Sequence, residues 1–131
     1  EEIESALQTG NRELTEAKVQ QFLAYACAAF RVPSVKVEVL EKRPSNHRGE
    51  LHGLYQANPK AQLFKITLWM RTAKRIQIVA FRTFLRTLLH ELLHHLDYQY
   101  LKLSDSFHTE GFYKRESSLL FQLLPTDGSH A

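Results

Sequence analysis

The sequence predicts an α+β fold, with helices packed on one small three-stranded sheet. Three patterns point there. Val35, Val37 and Val39 alternate with Lys36 and Glu38. Phe64, Ile66, Leu68 and Met70 alternate with Lys65, Thr67 and Trp69. Beyond Arg71 the apolar period lengthens from that of a strand to that of a helix. With 131 residues, 44% hydrophobic and 24% charged, the chain can bury one core. A single domain over residues 1–131 is expected, with loose polar ends at about 1–12 and 125–131.

Taken in order, Thr15 can cap a first helix that runs to about Phe30 and stops before Pro33. Its apolar stripe is Ala17, Val19, Phe22, Leu23 and Ala26, and Cys27 in the same run reads as core. The valines form the first strand, and Pro44, Ser45 and Asn46 mark a turn. Glu50 to Gln56 forms a second strand closed by Asn58-Pro59, and Phe64 to Met70 a third. Ile76, Val79, Ala80, Phe84, Leu88, Leu92 and Leu96 then define one long helix from about Ile76 to Leu101. Ser104 to Ser106 is a loop, and Thr109 or a neighbour begins a last helix that Pro125 ends.

Composition narrows the chemistry. One cysteine excludes an internal disulfide framework and a cysteine-clustered zinc site, and fits a cytoplasmic protein. The longest apolar run, Phe22 to Phe30, is far too short to span a membrane, so no membrane partner is expected. Histidine is the abundant metal ligand, with seven copies. Charge is uneven: Leu51 to His90 holds no Asp or Glu but carries Lys60, Lys65, Arg71, Lys74, Arg75, Arg82 and Arg86. Such a segment suits a nucleic acid or another polyanion, or else is a solvated face balanced by acids elsewhere in the fold.

Within the long helix stands His90-Glu91-Leu92-Leu93-His94. Residues four apart on a helix share a face about 6 Å apart, so the two imidazoles can converge on one ion. Glu91 lies to the side, where its carboxylate can take a proton from a metal-activated water and return it to a leaving amine. A catalytic zinc needs a third protein ligand and one open position. His95 is turned about 140° from His90, and Asp97 lies about 10 Å further along the helix. Asp97 reads as a solvated helix-end acid or as an acceptor for an imidazole N–H. His108 is the better choice, because about six residues of loop span up to about 20 Å and can return it to the ion.

His90-Glu91-x-x-His94, thirteen intervening residues, then His108-Thr109-Glu110-Gly111-Phe112-Tyr113 resembles the SprT-like zinc metallopeptidases. Gly53-Leu54-Tyr55 and Ile66-Thr67-Leu68-Trp69 are similar to that family's strands before the active-site helix. The resemblance covers about residues 50–120. It implies a zincin-like core with one Zn2+ per chain on His90, His94 and His108, with Glu91 as general base. It also implies a protein or peptide substrate, which in several members is associated with DNA. Thr109-Glu110-Gly111 departs from the family's Gly-Pro-Glu. A gluzincin arrangement with Glu110 or Glu116 as third ligand therefore stays open, as do two other classes. One is a metal-stabilised nucleic-acid-binding module; the other is an endoribonuclease with a His-x-x-x-His-x-x-x-x-x-His motif, although its third position here is Tyr100.

Among the remaining residues, the third strand would flank the cleft and offer its edge to an extended substrate. Trp69 faces substrate or covers a loop, Tyr98 and Tyr113 are oxyanion donors or packing residues, and His47 and His52 read as solvated surface.

Overall fold

The elements in chain order are α1 (Glu2–Thr9), α2 (Arg12–Phe30), β1 (Lys36–Lys42), β2 (Ser45–Asn46), β3 (Gly49–Glu50), β4 (Gly53–Asn58), a 3₁₀ turn (Pro59–Ala61), β5 (Leu63–Arg71), α3 (Phe81–Gln99) and α4 (Glu110–Leu123). The computed structural model describes residues 2–46, 49–101 and 109–123. The fold is α+β, with four helices among the described residues and a small mixed sheet of order β1-β5-β4. β1 runs parallel to β5, pairing Val37 with Ile66, and β4 runs antiparallel to it, pairing Tyr55 with Ile66. β2 and β3 form a separate two-residue ribbon.

Alternation places the valines and the even-numbered β5 residues in the core, where Val37, Val39, Ile66, Leu68 and Met70 are buried. Val19, Leu23, Ala26 and Cys27 of α2 and Leu85, Leu88, Leu89, Leu92 and Leu96 of α3 cover them. Ala17 stays exposed. None of the described helices is long and apolar enough to cross a membrane.

Several expectations need correction. Residues 2–9 are not a loose end: they form α1, whose Ala6 and Leu7 are buried. Asn11, not Thr15, caps α2, its side chain accepting from Leu14 N at 2.9 Å. Thr15 is buried inside the helix and donates back to Asn11 O at 2.8 Å. The second strand does not run unbroken from Glu50: that residue belongs to the ribbon, and β4 begins at Gly53. The third strand, β5, is central, so both its edges are taken and β1 and β4 are the outer strands. Trp69 on it is buried.

The long helix starts at Phe81 rather than near Ile76. Thr72 N donates to Gln77 O at 2.9 Å and Val79 N to Met70 O at 2.8 Å, while Ile78 bridges Arg71. The β-branched residues Ile78 and Val79 thus fold back on the end of β5 instead of joining the helix. Ile76 turns the corner in a left-handed conformation (φ 55°), which costs an L-residue about 1–2 kcal/mol.

The two outer edges of the sheet differ. Along β1, Gln20 accepts from Val37 N and donates to Val35 O. Glu16 accepts from Val39 N, and Arg12 donates to Val39 O. These residues recur every four positions on α2, so one helix face supplies the hydrogen bonds that a further strand would make. Among the described residues no strand pairs with the outer edge of β4.

His95 ties the layers together. It is fully buried, with Nε2 2.8 Å from Pro33 O and Nδ1 2.7 Å from Tyr55 Oη. A carbonyl can only accept, so Nε2 carries the proton and Nδ1 accepts from the tyrosine. Burial holds the imidazole below its ordinary pKa of 6.5, the Pro33 carbonyl opposing. The folded chain therefore refuses a proton that the unfolded chain binds, and this contribution to stability is present above about pH 6.5 and lost as pH falls through the folded value. Urea unfolding between about pH 7.5 and 5.5 should show that loss, and in His95→Leu the histidine's part of it should vanish. The variant should also lose about 1–3 kcal/mol at neutral pH, from the unpaired Tyr55 hydroxyl and Pro33 carbonyl.

Candidate metal centre

The leucine stripe that docks α3 on the sheet turns His90 and His94 toward α4. Their rings lie edge to face, with centroids 4.9 Å apart. Thr109 opens α4 as expected, its hydroxyl accepting from Phe112 N at 3.1 Å. That cap sets the first turn, from which the buried Phe112 ring reaches 5.0 Å from the His90 ring and 4.8 Å from the His94 ring. One turn on, the buried Glu116 brings Oε1 to 2.7 Å from His90 Nδ1 and Oε2 to 3.1 Å from Arg86.

Glu91 is 8% exposed and faces β4. A β-carbon on Gly53 would lie 2.6 Å from Thr87 Cγ2 and 3.3 Å from Glu91 Oε2, so only glycine lets the strand approach α3 this closely. Burial pushes the Glu91 carboxyl above its ordinary value; His90 opposes that shift and Glu116 adds to it. Two clefts open around these groups. One, of about 380 Å³, is lined by Gly53, Leu54, Tyr55, His90, Glu91, His94 and Tyr98. The other, of about 280 Å³, adds His52, Arg86, Thr87 and Glu116.

Of the predicted site residues, His90, Glu91 and His94 come together, and Glu116 joins them through His90. His108, His47 and the Ser104–Ser106 loop lie outside the described residues, as does the side chain of Glu110. Among the described residues no three His, Cys, Asp or Glu side chains are arranged to hold a metal. Asp97 is not a solvated helix-end acid: it is buried and accepts from Arg115 of α4 at 3.0 Å. Tyr98 stacks on Tyr55 with centroids 6.4 Å apart, and Tyr113 is exposed. His52 is exposed on the cleft rim. Sequence reasoning counted Gly53 and Phe112 only in the family resemblance and Arg86 only in the basic segment, and gave none of them a contact with the histidines or Glu91. Only the four-residue spacing of Phe112, Glu116 and Leu120, which puts a carboxylate within a core stripe, signalled part of this arrangement.

The basic segment is partly neutralised by acids from elsewhere. Lys65 pairs with Glu38 at 2.8 Å, Arg71 with Glu41 at 3.0 Å and Arg86 with Glu116 at 3.1 Å. Lys60, Lys74, Arg75 and Arg82 are exposed, but Lys60 sits in the 3₁₀ turn before β5 and Lys74 and Arg75 beyond the strand's far end, roughly 25 Å away at strand rise.

The fit of Gly53 against α3 can be tested by a double-mutant cycle. Gly53→Ala should destabilise the protein by about 1–3 kcal/mol. Thr87→Ser, which removes Cγ2 and keeps the hydroxyl bond to Thr83 O, should recover a large part of that loss in urea unfolding.

Comparison with protein-family models, curated proteins and solved structures finds no match to this chain.

Proposed function

We propose that the chain is a zinc-dependent metallopeptidase with a zincin-like core. The observation that carries this reading is the pairing of His90 and His94 on one helix face with a buried carboxylate, Glu91, between them and strand β4. The donor set fits zinc: two imidazoles 4.9 Å apart, with Phe112 packed against both rings. His90 and His94 would hold the ion together with His108. His108 lies four positions before Phe112, a tether of at most about 14 Å, which supports that choice.

Zinc, when bound, supplies Lewis acidity that activates a water and polarises a carbonyl. Glu91 handles the proton. Its raised carboxyl, with Oε2 directed toward Gly53, is suited to accept a proton from the attacking water and to pass it to the amine of the departing peptide. The absence of a β-carbon at Gly53 leaves room for the carboxylate beside β4. The outer edge of β4 supports a peptide substrate, since an extended chain laid along it would gain main-chain hydrogen bonds beside Glu91. α2 covers the equivalent groups on β1. The ion pairs of Lys65, Arg71 and Arg86 give a nucleic-acid-binding reading no comparable support.

Metal content and turnover of an unfolded protein substrate test the proposal together. Wild type and Glu91→Gln should each hold one zinc per chain, with Glu91→Gln slower by about 10²–10⁴-fold. His94→Ala should lose the metal, and His108→Ala should bind it more weakly. Wild-type protein that takes up no zinc on supplementation would overturn the reading, and equal retention by His108→Ala would remove that residue from the ligand set.

A further inference from the structure

Phe112, Glu116 and Leu120 occupy successive turns of one α4 face and are all buried. Two of the three are apolar, as packing alone requires. The middle one is a carboxylate with only 4% of its surface exposed. Burying an ion is costly, and an apolar residue in the same place would often pack as well or better. Its partners are therefore informative. Oε2 accepts from Arg86 at 3.1 Å, and Oε1 lies 2.7 Å from His90 Nδ1.

An ionised carboxylate only accepts hydrogen bonds, so in the neutral His90 ring the proton sits on Nδ1 and the lone pair is on Nε2. The two ring nitrogens point away from each other, so a carboxylate bonded to Nδ1 is turned away from an ion at Nε2. We propose that Glu116 is a positioning residue that holds His90 in the Nδ1–H tautomer and orients Nε2 for the metal, rather than serving as a ligand itself. This rests on the metal-site reading above. Arg86 holds the second oxygen and so limits rotation of the carboxylate. α4 thus contributes to the site by aiming a histidine of α3, a role that the gluzincin alternative would instead give to direct coordination.

The test pairs a measurement on metal-free protein with one on zinc binding. Long-range ¹H–¹⁵N spectra of wild type at about pH 8, where histidine is neutral, should report His90 as the Nδ1–H tautomer. In Glu116→Leu that preference should be lost while cooperative urea unfolding is retained, because the partners left behind, Arg86 and His90, are partly exposed and can turn to water. Zinc should still bind one per chain, but about 10–100-fold more weakly in competition with a chelator. Glu116→Gln, which keeps an acceptor oxygen in the same place, should recover most of the tautomer and part of the affinity.

An unchanged tautomer in Glu116→Leu, or zinc affinity equal to wild type, overturns the proposal. Loss of stoichiometric zinc in Glu116→Gln overturns it in favour of direct coordination. If wild type binds no zinc, the metal reading fails instead, and the tautomer of the metal-free proteins still decides whether Glu116 sets the ring.

Discussion

Helix α3 is buried around most of its circumference yet carries His90, Glu91, His94, His95 and Asp97 within eight residues, and what packs around it answers to that constraint. Leucine can be satisfied by any apolar neighbour, but a buried polar group needs a particular partner at a particular distance. Three neighbouring segments supply such partners. The chain after α2 offers the Pro33 carbonyl and β4 the Tyr55 hydroxyl, both to His95. α4 offers Arg115 to Asp97 and Glu116 to His90. The hydrophobic contacts gather these elements; the polar ones determine how far along the helix axis, and in what rotation, each comes to rest.

How much of this was legible in the sequence depended on the range of the interaction. Alternation of Val35, Val37 and Val39, and of Phe64 to Met70, is local and gave the strands. The cap at Thr109 and the spacing of His90, Glu91 and His94 are local too. The start of α3 was misplaced because Ile76 and Val79 fit a helical period, while the competing attraction, pairing with the end of β5, acts between segments. Asp97 looked like a helix-end acid because Arg115 is eighteen residues away. The need for glycine at 53 was invisible for the same reason: Thr87 and Glu91 come from another element. Glu116 was named only as a possible ligand, because spacing indicates that a side chain can reach a site but not which atom it meets there.

The sheet has one edge closed by side chains and one edge open among the described residues. Arg12, Glu16 and Gln20 could satisfy β1 from a distance because amide, carboxylate and guanidinium groups imitate the donors and acceptors of a strand. An unprotected edge is ordinarily a hazard for aggregation. Here β4 is only six residues long, and its exposed positions include Gln56 and Asn58, which limits the apolar surface it offers.

The position of β5 also bears on the order of assembly. Among the described residues it is the last strand to be synthesised, yet in the sheet it lies between β1 and β4, which both precede it and have no hydrogen bonds to each other. Neither outer strand has a sheet partner until the chain has been made through Arg71. Parallel pairing of β1 with β5 closes a loop of more than twenty residues, a non-local contact of the kind that slows folding. During translation, then, α1 and α2 can form early, whereas the sheet waits for its middle strand.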